Sequence, residues 1–133
     1  FDQQLRSIQD WDLWMRIASR YPVAFLNEPM VKYRVHSSST SRSTRKTLPN
    51  HLRVIEKVFS KDGVGADKMH LKPVAKSNSL SICSQIAEEE GDYAFAFQCA
   101  IRAYGQQPTS VGRASRAIKS AIKLVLSWFG IRR

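Results

Sequence analysis

The sequence predicts a mainly helical protein, in which a short α/β segment of one helix and two strands is followed by an α-helical region. Three observations predict it. Apolar residues recur at three- and four-residue spacing near the N-terminus. Two compact runs behind them cluster or alternate as strands do. Four later stretches keep helical spacing between glycine and proline breaks.

The first helix is announced by Ser7, which stands three residues before Asp10 in an S-x-x-[DE] start signature. Trp11, Trp14, Met15 and Ala18 then mark one apolar face, with Trp14, one turn along, read as core. Asp12 and Arg16 form an i,i+4 pair, Arg20 sits where the helix dipole is negative, and Pro22 ends the helix. "VAFL" (23–26) reads as a short buried strand. After the turn at Asn27, Glu28 and Pro29, "MVKYRVH" (30–36) puts Val31, Tyr33 and Val35 on one face and Lys32 and Arg34 on the other. That is the pattern of a half-buried strand. "SSSTSRST" (37–44) is a polar loop.

Four helices follow. Leu52, Ile55, Val58 and Phe59 mark the first, closed by Asp62-Gly63 and Gly65. The second runs from Lys72 to Glu90 and stops at Gly91-Asp92; the third covers Tyr93 to Tyr104, ahead of Gly105 and Pro108. The last begins near Ser110 and continues to Phe129. "GDYAFAFQCAIRAYGQQP" (91–108) resembles the second helix of a tetratricopeptide repeat. Only one such unit is visible where a solenoid needs about three, so an ordinary helical hairpin is expected.

With 133 residues, the chain holds about one domain's worth of core. Its 43% hydrophobic and 24% charged residues are ordinary for a globular protein, and no stretch nears the roughly 18 apolar residues of a membrane span. Cys83 and Cys99 stand apart without a CxxC, so both read as small buried hydrophobes in a protein that needs no oxidising compartment. The start at Phe1, without methionine or a signal-like segment, reads as a piece of a longer protein. The net charge of +10 is uneven: after Asp92 come Arg102, Arg113, Arg116, Lys119, Lys123, Arg132 and Arg133 with no acid among them. Such asymmetry suits an anionic partner.

Read together, "FDQQL…QDWDLWMRIASRYPVAFLNEPMVKYRVHSSSTS" (1–41) resembles the end of the catalytic domain of family 2 glycosyltransferases, in order and in spacing. The match covers the first third of the chain. It divides the sequence into the C-terminal end of a catalytic domain (1–45) and a helical extension (46–133). The resemblance implies a GT-A fold, a Rossmann-like α/β domain that transfers a sugar from a nucleotide-sugar donor with inversion. It also implies a glycan or lipid-linked acceptor, and a divalent metal (Mg or Mn) whose main ligands lie outside these residues. The donor site, with its Asp-x-Asp motif, would lie upstream of Phe1, so these 133 residues alone are expected to be inactive. The compartment expected is the cytoplasm, peripheral to the inner face of the membrane.

The same resemblance assigns residues. Asp10 matches the catalytic base, which takes the proton from the acceptor hydroxyl as that oxygen attacks the anomeric carbon. A helix N-terminus favours an ionised carboxylate, which suits the role. Gln9 and Trp11 would bind the acceptor, although Gln9 stands where the family often has glutamate. Arg34, His36 and Ser39 would face the donor diphosphate, with His36 also a candidate metal ligand. Asp12 keeps its structural pairing with Arg16.

Two other classes compete. A basic nucleic-acid-binding module is prompted by the charge, but the cations are not interleaved with stacking aromatics and no recognised motif is present. A helical protein-interaction module would use the hairpin at 72–108. At 111–129, an acid-free basic helix with Trp128 and Phe129 near its end suits an anionic membrane surface. The competing expectation is that its apolar face packs on the preceding helices as core.

Overall fold

The computed structural model describes residues 1–32, 34 and 43–130. Among them are five α-helices: α1 (Gln9–Ala18), α2 (Thr44–Val58), α3 (Lys72–Glu89), α4 (Tyr93–Gln106) and α5 (Val111–Trp128). A 3-10 helix, Ala66–Leu71, leads into α3.

The expected α/β segment does not form. Among the described residues there is no strand, and the Rossmann-like α/β fragment is replaced by an all-helical architecture. The run 23–26 is irregular, with Val23, Phe25 and Leu26 exposed at 74, 86 and 70%. Met30 and Val31 are equally open to solvent, while Tyr33, Val35 and His36 lie outside the described residues. The reason is physical. A strand exists only through a neighbour that accepts its backbone hydrogen bonds, and these runs have none among the described residues.

The helical spacing predicts α3, α4 and α5 to within about two residues of their observed ends. Asp92 caps α4, its Oδ1 accepting from the Phe95 amide at 3.2 Å, and Ser110 caps α5 through the Arg113 amide at 3.4 Å. Gly91, at φ 78°, makes the left-handed turn between α3 and α4. α2 begins a full turn and more before the expected stretch, in the last residue of the polar run, and passes through Pro49. Its buried face is polar at first, with Thr44 and Thr47, and the apolar signal becomes visible only later.

Three helices pack as neighbours in series. Glu56, near the end of α2, meets Lys72 and Lys76 at the start of α3. At the other end, Thr44 Oγ1 donates to Glu90 at 3.1 Å, so α2 and α3 run antiparallel. Ser77 Oγ donates to the Ala103 carbonyl at 2.9 Å, which pairs the start of α3 with the end of α4. One core lies between them: Leu48, Leu80, Cys83, Ala87, Phe95, Ala96, Cys99 and Ala103. Both thiols are free and buried, and burial pushes each up to about 11. A second cluster joins Leu5 and Ile8 to Val54, Ile55, Val58 and Phe59 of α2, so the N-terminal segment shares a core with the helical region.

Candidate functional site

The chain enters α1 through Ile8, at φ 56° and ψ 27°. A β-branched residue in that left-handed region costs about 1–2 kcal/mol, and packing of Ile8 against the second cluster offsets it. Ser7 does not cap the helix as its spacing predicts. Its Oγ accepts from Asn50 Nδ2 at 2.7 Å, which ties the N-terminal segment to α2 instead.

The two aspartates of α1 are held in opposite ways. Asp12 is 2% exposed; its Oδ2 accepts from Arg16 Nε at 3.1 Å, and its Oδ1 lies 2.8 Å from Lys57 Nζ. Lys57 also reaches Asp2 at 2.9 Å, and the hydrogen bonds to Asp12 and then Asp2 push its ammonium above the usual lysine range. Asp12 is a structural anion, as its spacing from Arg16 predicts, with Lys57 as a partner the sequence did not reveal. Asp10 instead projects from the first turn, exposed, and its Oδ1 accepts from the Trp11 amide at 3.0 Å.

Around Asp10 stand an aromatic and an imidazole. Trp11 meets His51 edge-on, with ring centroids 5.1 Å apart and planes inclined by 64°. Burial holds the His51 pKa below 6.5, and the negative charge of Asp10 pulls the other way. Among the described residues its Nδ1 is buried without a hydrogen-bond partner. His51 lies one turn before Val54 and Ile55 on the same helical face. Extending that stripe back one turn would have found it; the apolar residues that mark the helix begin only at Leu52.

Beside Trp11 opens an apolar groove of about 520 Å³. Trp11, Trp14 and Met15 of α1 form one side, Val58 and Phe59 of α2 lie beneath, and Ile82, Asn78 and Ser79 of α3 bound the other. Trp14 is 63% exposed here and belongs to the groove, not to the core where its helical position placed it. The size falls within the range of small-ligand sites.

The remaining candidates separate. Gln9 is half-buried, and its Nε2 donates to the Leu5 carbonyl at 2.7 Å, a contact within the N-terminal turn. Arg34 is exposed in irregular chain, and His36 and Ser39 lie outside the described residues. Among the described residues no three His, Cys, Asp or Glu side chains gather to hold a metal ion. Compared with known protein families, curated proteins and solved structures, the chain finds no match in any of the three.

Proposed function

We propose that this chain supplies the catalytic base and the acceptor side of an inverting, family 2-type glycosyltransferase. The observation that carries the reading is the division of labour within one turn of α1. Asp12 is neutralised by Arg16 and Lys57, while Asp10 stands exposed beside Trp11. A base must reach a substrate proton and keep no permanent cation, and Asp10 alone of the pair meets both conditions. In the proposed step the acceptor hydroxyl gives its proton to Asp10 as its oxygen bonds to the anomeric carbon, and the nucleoside diphosphate leaves.

Trp11 and Trp14 give the acceptor an apolar wall, suited to the C–H face of a sugar ring or to the first carbons of a lipid-linked glycan. In this reading the nucleotide-sugar donor and its divalent metal would be held by residues other than those around α1, where no three His, Cys, Asp or Glu side chains gather among the described residues. Two free buried thiols agree with a cytoplasmic setting.

In the full-length enzyme, Asp10→Asn should lower transfer by about 100-fold or more and leave donor binding intact. Asp12→Asn should act mainly on thermal stability. Normal turnover by Asp10→Asn would reduce Asp10 to a helix-start residue. The 133 residues alone should give no saturable calorimetric heat with a nucleotide sugar and Mn²⁺; micromolar binding would move the donor site into this chain.

A further inference from the structure

α5 holds to the molecule through its small and polar residues and turns its large apolar ones away. Ala117 and Ser120 are buried. Ser120 and Lys123 both bond to Glu88 of α3, Lys123 at 2.6 Å, and Arg113 reaches Ser81 at 2.5 Å and Asn78. On the far side, Val111, Ile118, Ile122, Val125 and Phe129 are exposed at 83, 61, 54, 47 and 75%. At 100° per residue these five fall within an arc of about 60°. They form a straight stripe along a helix about 27 Å long. The core therefore does not receive the apolar face that the sequence offered it.

A contiguous apolar stripe of this length needs a cover. The charges decide which. α5 contains Arg113, Arg116, Lys119 and Lys123 and no acidic residue. Lys119 is exposed on the flank of the stripe, while Arg116 is half-buried on the packed side, where its charge acts on Glu88. A second copy would bring two chains of net charge +10 together, with Lys119 of each at the edge of the seam. An anionic lipid surface supplies both the apolar layer and the missing negative charge. Trp128, 76% exposed at the end of the stripe, suits the headgroup level. Among the described residues no helix is long and apolar enough to cross a membrane, so the helix lies along the surface and does not span it.

We infer that α5 is a peripheral membrane-binding helix. It lies in the plane of an anionic bilayer, with the Val111–Phe129 stripe at the acyl boundary and Lys119, on its flank, against lipid phosphates. The inference does not depend on Asp10 or on glycosyl transfer.

Flotation of the full chain tests it, with vesicles of phosphatidylcholine mixed with phosphatidylglycerol against phosphatidylcholine alone. Binding should require phosphatidylglycerol and weaken as salt rises. Ile118→Asp with Ile122→Asp should lower partitioning at least about tenfold. Lys119→Gln, far from any packed surface, should lower it about fivefold. Circular dichroism should show both variants as helical as the parent. Equal binding to neutral vesicles, or flotation unchanged by either variant, overturns the inference. A chain that stays off the vesicles but dimerises in sedimentation through the same isoleucines would overturn it in favour of a second copy.

Discussion

The α3–α4 hairpin hides small residues, while the corner around α1 displays large ones. In the hairpin, Ser77, Ser84, Ala87, Ala96, Cys99 and Ala103 are almost wholly buried, and Ser77 hydrogen-bonds across to the Ala103 carbonyl. Around α1, Trp11, Trp14 and Met15 remain 47, 63 and 44% exposed although each offers far more apolar area. Burial here follows how closely two backbones approach, and not how hydrophobic a residue is. Small side chains let α3 and α4 close on each other, and bulky ones hold α1 off α3 and leave a groove.

The largest expected effect breaks the hairpin side of this contrast. Phe95→Ala removes a buried ring that also lies 4.5 Å beneath the Arg45 guanidinium, and should cost about 3–5 kcal/mol in denaturant unfolding. A loss below about 1 kcal/mol would mean that the hairpin core is not close-packed at this point.

The α1 corner should answer more weakly. Asp12→Ala should cost about 2 kcal/mol, less than the about 3–5 kcal/mol of a fully buried pair. The cations it leaves behind, Arg16 and Lys57, are 44 and 45% exposed and can turn to water. Lys57→Met should be less harmful than Asp12→Ala, because Arg16 still faces the carboxylate. The opposite order would show that Arg16 contributes nothing.

Gly91→Ala should cost about 1 kcal/mol. Among the described residues an added Cβ meets nothing within 4 Å, so the expected effect is that of the backbone at φ 78°. Gly91→Asn should recover part of the loss, since asparagine tolerates this conformation better than alanine.

The smallest effect is a pH slope. His51 binds its proton less readily when folded, so between its ordinary 6.5 and its lower folded value the unfolded chain holds more protons. Stability is therefore full above pH 6.5 and declines as pH falls from there. Asp92, Glu56, Glu88 and Asp2 are each held below the usual carboxylate range. Asp92 is held mainly by the Arg45 hydrogen bond and Glu56 by Lys72; Lys123 and Ser120 outweigh burial at Glu88, and Lys57 lowers Asp2. Their contributions are lost only as pH falls below 4.5. Melting temperature against pH should show two stages, and His51→Phe should flatten the upper one alone.

The helices α3, α4 and α5 were legible because each signal is local. Spacing, an aspartate or serine cap and a following glycine or proline need no distant partner. The strand expected at 23–26 was misread because a short apolar run states that a strand could be buried, not whether a neighbour exists, and most of the alternating face at 30–36 lies outside the described residues. α2 was read short because its first buried residues, Thr44 and Thr47, carry no apolar signal. At the candidate site, Asp10, Trp11 and the Asp12–Arg16 pair were visible as neighbours in sequence. His51 and Lys57 were not, since they come from α2, more than thirty residues away.

The sequence by itself determined where most helices begin and end, the structural role of Asp12, and the acid-free character of the last helix. Each depends on residues within one or two turns of one another. Only the tertiary structure decided which faces are covered. It set Asp12 under Lys57 and brought His51 beneath Trp11. It left Trp14 in a groove, and it turned Ala117 and Ser120 of α5 inward, with Ile118 and Ile122 outward. An amphipathic pattern fixes that a helix has two faces; the close approach of α5 to α4, which small side chains permit and large ones forbid, chose which face is buried.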